Sequence, residues 1–306
     1  MLSIALNEVV VTAQANGGYN LTYIDISGPQ TLLFPTLDLL YDWYLINFSN
    51  DDDDNETCNL SVSLSSIDSE IVPGGSVILT ANIQQTGSPS DLKYFYEAYY
   101  SDQWWELSDP NNCVNNNLEY KMKVLGAIKF RVKVTYKCGQ EDKEITSEEV
   151  STNSKFCLSD LNSQFGSNMD AAWNSTVSRT NAGTGKYEDG FIVNFNGSIP
   201  TATSFQAQSD CDIVELSSIT GIQSPTGNVS PNFIGYIWTV GLFHTHPPLT
   251  NCPTNYSLLK GPSSIDLSSI SNFPKVVRTY DQTVSGGHDI DLPTMDTAYG
   301  PNCTTY

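Results

Sequence analysis

Residues 236–249 read YIWTVGLFHTHPPL, an apolar run that closes on two histidines one residue apart. The whole chain of 306 residues holds only three histidines. Side chains two apart on a strand point to the same face, so His244 and His246 can approach one metal ion together while Thr245 faces away. Pro247 and Pro248 follow at once, which ends the strand and places the imidazoles at its rim. The stretch therefore reads as a strand that delivers two metal-ligating nitrogens, or as a strand that ends in a pair of hydrogen-bonded histidines.

Downstream, Pro262-Ser263-Ser264-Ile265-Asp266 adds a carboxylate that can serve as a third ligand. Ser263 with Asp266 three residues on also makes a capping box for a helix start. The two readings are compatible, because the backbone amides that cap a helix also orient a ligating carboxylate. The run GPSSIDLSSI then reads as a short helix and KVVRTY as a strand. Upstream, Leu161, Phe165, Met169, Ala172 and Trp173 fall at helical spacing, with Ser159 or Asp160 as N-cap and with Gly183 and Gly185 as the stop. A strand from Glu188 through Phe195 follows.

A helix, a glutamate opening a strand, an apolar strand ending H-x-H-P, and then P-S-x-x-D resembles the JAB/JAMM (MPN-type) zinc metalloproteases, which include deubiquitinating isopeptidases. The resemblance covers roughly residues 155–306. It implies an α/β, cytidine-deaminase-like domain in which His244, His246 and Asp266 ligate Zn2+, Glu188 is the general base and Ser263 donates to the oxyanion. Two imidazoles and one carboxylate leave the fourth tetrahedral position of zinc open, as catalytic sites require. Glu148, Glu149 and Glu215 also precede the histidines, but Glu188 opens a strand directly after the helix. Residues 247–262, between His246 and Ser263, are more than typical members carry and include Cys252 and Tyr256. His288 reads as a loop residue.

From Leu60 the pattern is one of short alternating runs separated by turns, including GGSVILTANI, LKYFYEAYY and GAIKFRVKVTYKC, which indicates an antiparallel sandwich. This part resembles an immunoglobulin-like domain. The resemblance lies in Gly75-Ser-Val-Ile-Leu-Thr as an early strand, the aromatic strand Tyr94 to Tyr100, Trp104 and Trp105 as packing residues, and Gly126 before the late strand. The expected architecture is multidomain. Residues 1–57 form an N-terminal segment with the acidic linker NDDDDNET, residues 58–152 an immunoglobulin-like β-sandwich, and residues 155–306 the JAMM-like domain.

With 34 acidic against 14 basic residues and a net charge of −20, the surface is strongly negative. Such a surface disfavours nucleic acid and anionic membranes. The apolar stretch TLLFPTLDLLYDWYLINF is broken by Pro35, Asp38 and Asp42, so it does not read as a membrane span. Seven cysteines form no C-x-x-C pair. Cys113 and Cys138 are candidates for a bridge, and Cys252 either pairs with Cys303, stays a thiol or completes a metal site. The function expected is hydrolysis of an amide bond in a protein or peptide substrate, the β domain binding a protein partner. The other reading is a surface or adhesion-type binding protein whose JAMM-like domain is catalytically idle. N-x-S/T triplets such as Asn196-Gly-Ser carry little weight in an Asn-rich chain, and the compartment stays open, secreted and cell-surface included.

Overall fold

The computed structural model describes residues 9–13, 18–25, 28–36, 39–40, 58–109, 113–182, 186–209, 222–250, 252–253, 257–258, 260–268, 271–286 and 292–306. The acidic run at 50–57, Gly183, Gly185, Glu215, Tyr256 and His288 lie outside the described residues. The described residues are mostly strand, arranged in several sheets, with little helix, a β-rich multidomain fold. Two compact units can be separated. One is Met1–Asn59 with Thr86–Pro89 and Cys138–Glu141, the other Leu60–Gln85 with Ser90–Lys137 and Asp142–Tyr306.

The first unit holds an antiparallel three-stranded sheet of β1 (Val9–Ala13), β2 (Tyr19–Asp25) and β3 (Gly28–Phe34) in sequential order. Leu21, Phe34 and Leu40 form its small core, with Tyr19 and Leu32 packed against them. Cys58 and Cys138, 80 residues apart, are bridged here. The expected pairing of Cys138 with Cys113 is thus corrected: Cys138 is bridged to Cys58, whose backbone N–H also donates to Cys138 Sγ.

The larger unit begins with two sheets. One contains β4 (Asn59–Leu64), β6 (Ser76–Thr86) and β9 (Asn117–Lys121). The other contains β5 (Glu70–Ile71), β12 (Val150–Ser154), β10 (Gly126–Cys138), β7 (Ser90–Tyr100) and β8 (Gln103–Glu106) in that order, with β11 (Glu141–Thr146) beside β10. Along β10, Ile128, Phe130, Val132 and Val134 are buried while their neighbours alternate outward, the period-two pattern of a sheet covered on one face. Tyr120 of β9 meets Phe130 of β10 edge-on at 5.6 Å between ring centroids. Trp104 stacks under the Arg131 guanidinium at 3.9 Å, and Trp105 donates to the Tyr100 carbonyl, so both indoles pack within the sheet edge.

The rest of the unit carries α1 (Leu158–Asn181) on a five-stranded sheet. Its strands run β14 (Thr201–Ser209), β13 (Lys186–Phe195), β15 (Trp238–Thr245), β17 (Lys275–Tyr280) and β19 (Thr294–Tyr299), with β15 and β17 the parallel pair. A separate two-stranded sheet pairs β16 (Ser257–Leu258) with β18 (Val284–Ser285). The short helix α2 spans Ser264–Ser268. The helix α1 buries Leu161, Phe165 and Met169, as the spacing requires, and continues the stripe with Thr176 and Thr180. Phe165 packs on Phe191 and Phe156, and a Cβ at Gly241 would stand 3.2 Å from Leu161.

The N-cap of α1 is Cys157, not Ser159 or Asp160; Asp160 sits three residues into the helix, and its carboxylate accepts the Cys157 N–H at 2.8 Å. That start is fixed because Cys157 is bridged to Cys303, 146 residues on. Cys303 is therefore not the partner of Cys252, and Cys252, itself disulfide-bonded, is neither a thiol nor a metal ligand. The polar run that follows β13 reads weakly as sequence, yet Thr201–Ser209 pairs with β13 along nine residues. Among the described residues, no helix is long and apolar enough to cross a membrane.

Candidate metal centre

The strand alternation that sorts β15 decides where the histidines go. Gly241, Phe243 and Thr245 face α1, Thr245 through a 2.6 Å hydroxyl contact with Thr176. Leu242, His244 and His246 face the other side, where Leu242 joins Ile192, Phe273 and Phe205. The antiparallel register of β13 sets Gly190 opposite His244, which brings Glu188, two residues earlier, to the same end and face. An added Cβ at Gly190 would lie 2.3 Å from the Phe243 carbonyl oxygen and 3.0 Å from His244 Cα. Only glycine lets the two strands close to this separation.

Four ionisable side chains converge in this space, and nearly all of their surface is withdrawn from solvent: Glu188 is 1% exposed, His244 0%, His246 4% and Asp266 2%. His244 Nε2 stands 3.2 Å from Asp266 Oδ1 and His246 Nε2 3.3 Å from Asp266 Oδ2. Glu188 Oε1 lies further off, 3.8 Å from His246 Nε2. Asp266 is held by the predicted capping box: Ser263 N–H donates to its Oδ2 at 2.7 Å, and its own N–H donates to Ser263 Oγ at 3.2 Å. Glu148 and Glu149, by contrast, are surface residues, the latter paired with Lys129.

Buried groups with these charges need a compensating partner. Burial, reinforced by the negative charge of Asp266, raises the Glu188 carboxyl well above its ordinary value. Burial likewise lowers His244. For Asp266, burial pushes upward, but its contacts with His244 and His246 outweigh it and hold the carboxyl below the usual carboxylate range. Glu188 Oε2 and His244 Nε2 have no hydrogen-bond partner among the described residues. Glu188, His244 and His246, whose ligand atoms lie within 4.8 Å of one another, could hold a metal ion, and the donor set of imidazole and carboxylate fits a divalent one.

Groups that sequence reasoning passed over support the centre from two sides. Behind β15, the Asp189 carboxylate binds Thr176, Arg179 and Gln206. In front, Tyr299 approaches His244, and the buried Lys275 approaches Asp266. Lys275 stands inside the KVVRTY run recognised as a strand, but its burial depends on the neighbouring β19, whose sequence TMDTAY gives little strand signal.

No protein-family model, curated protein or solved structure matches the chain.

Proposed function

We propose that this chain is a zinc-dependent peptidase or isopeptidase of the JAMM type, with an immunoglobulin-like β-sandwich ahead of the catalytic part. The observation that carries the reading is the buried cluster in which both imidazoles stand against the Asp266 carboxylate with Glu188 beside His246, while His244 Nε2 and Glu188 Oε2 have no hydrogen-bond partner among the described residues. His244, His246 and Asp266 would hold the ion, three protein ligands as catalytic zinc sites carry. When bound, zinc acts as a Lewis acid that lowers the pKa of water to about 7.

Glu188 stands 3.8 Å from His246 Nε2 where Asp266 stands at 3.3 Å, and the greater separation suits a base rather than a ligand. It takes a proton from the attacking water as the new C–O bond forms at the amide carbonyl, then gives that proton to the nitrogen as the C–N bond breaks. Ser263, anchored to Asp266 by backbone and hydroxyl, is the residue we assign to donate to the carbonyl oxygen as it gains charge.

Zinc per chain and hydrolysis of a peptide and isopeptide panel, measured for wild type, Glu188→Gln and Ser263→Ala, test this assignment. General acid–base catalysis contributes roughly 10²–10⁴-fold, so Glu188→Gln should keep its zinc and lose at least about two orders of magnitude in turnover. Ser263→Ala should lose about 10²–10³-fold or less. Loss of zinc from Glu188→Gln makes Glu188 a ligand. Zinc-loaded wild type that cleaves nothing across the panel supports a binding module with an idle centre.

A further inference from the structure

Three adjacent strands place a tyrosine and a lysine behind the first histidine. Lys275 pairs with Leu242 across β15 and β17, and with Tyr299 across β17 and β19. The Tyr299 ring stands nearly perpendicular to the His244 imidazole, at 84° and 6.0 Å between centroids, with its hydroxyl 3.2 Å from His244 Nδ1. Lys275 Nζ sits 4.7 Å from the Tyr299 ring centroid and donates to the Asp266 backbone carbonyl at 3.4 Å. One buried ammonium thus touches both the residue behind His244 and the segment that presents Asp266.

We propose that Tyr299 is a positioning residue of the centre. Its phenolic oxygen accepts the Nδ1–H of His244, which turns Nε2, as a lone pair, toward the metal, while Lys275 holds the Tyr299 ring and the Asp266 backbone in register. This role rests on the metal-binding reading of the site. A neutral imidazole has one N–H, so the ligating nitrogen is set by the partner of the other. His244 is fully buried and has no solvent to fill that place. The phenol is an unusual partner where carboxylates and backbone carbonyls are common, and the Lys275 charge over its ring supplies a cation–π contact that keeps the ring in place.

The test compares full-length wild type with Tyr299→Phe, which keeps the ring beneath Lys275 and removes only the hydroxyl. Zinc affinity, measured by chelator competition, should weaken about 10–100-fold. The visible bands of the cobalt-loaded protein should shift, and the loss of zinc affinity should exceed any loss of stability in the metal-free chain, where one buried imidazole nitrogen is left without its partner. Independently of any variant, imidazole proton spectra of zinc-loaded wild type should show a slowly exchanging Nδ1–H at His244. Wild type that binds no zinc rejects the metal reading itself. Zinc-binding wild type with unchanged affinity in Tyr299→Phe, or a rapidly exchanging His244 Nδ1–H, rejects the role of Tyr299 alone.

Discussion

Thr245 Oγ1 lies 3.1 Å from the backbone nitrogen of Asp189 and 3.1 Å from its carbonyl oxygen. A single hydroxyl thereby clamps the strand that carries Glu188 to the strand that carries both histidines. Because Thr245 sits between His244 and His246, and Asp189 next to Glu188, the clamp works on the face opposite the centre yet fixes three of its residues. The Asp189 carboxylate, tied to Thr176 and Arg179 of α1, couples that clamp to the helix.

Thr245→Val keeps the shape of the side chain but leaves a buried N–H and carbonyl without their partner. Unsatisfied buried polar groups cost about 1–3 kcal/mol each. The variant should lose stability by about that amount at an unchanged denaturant slope, and zinc should bind it more weakly. A Val variant as stable as wild type with normal zinc affinity removes the clamp from the account.

Gly190→Ala tests how closely β13 and β15 must approach. The new methyl would meet Phe205 Cζ at 2.6 Å as well as the Phe243 carbonyl, and the backbone atoms cannot swing aside as a flexible chain end can. Overpacking of this kind costs typically 1–3 kcal/mol. Thermal unfolding should show the loss, and metal content should fall with it because Glu188 and His244 are carried apart. Full stability with full metal content in Gly190→Ala would contradict this separation of the strands.

The elements whose apolar period is unambiguous were readable in the sequence: the stripe of α1, the Trp238–Thr245 strand and KVVRTY all stand as the pattern predicts. H-x-H spacing sufficed to place two imidazoles on one face, and the capping-box spacing to place Ser263 against Asp266. What stayed hidden depends on contacts distant in the chain. Thr201–Ser209 and Thr294–Tyr299 become strands because β13 and β17 offer them open ladder positions, not because their side chains demand it. Cysteine pairing failed for the same reason, since Cys157 and Cys303 meet across 146 residues and no spacing rule reaches that far. Tyr299 could be found only once β19 was known to lie beside Lys275.

Metal should stabilise the chain and should depend on both histidines. At a free zinc concentration 1,000-fold above the dissociation constant, a single site adds about 4.1 kcal/mol. Wild type should therefore melt higher with zinc and lose that increment to a chelator. His246→Ala should bind no zinc at the centre and show no zinc-dependent rise in melting temperature. A full zinc equivalent in that variant would falsify the ligand assignment.

Glu188 should also mark the metal-free protein through pH. Its carboxyl is raised by burial first and by Asp266 second, so between the ordinary carboxylate value and the raised one the folded chain keeps a proton that the unfolded chain has lost. The folded state then binds more protons, and stability falls as pH rises through that window, at up to about 1.4 kcal/mol per pH unit. Gln has no proton to lose and fills nearly the same space. In chelator, Glu188→Gln should accordingly be more stable than wild type at pH 7, by a margin that shrinks toward pH 5. Asp266 and His244 are present in both chains, so the difference between them isolates Glu188. In saturating zinc the advantage should vanish or reverse, because the cation favours the ionised carboxylate. Urea titrations at pH 5, 6, 7 and 8, with and without zinc, read both effects. A margin that is flat in pH without metal contradicts a buried, proton-holding Glu188, and a Gln advantage that survives in zinc places that carboxylate outside the field of the ion.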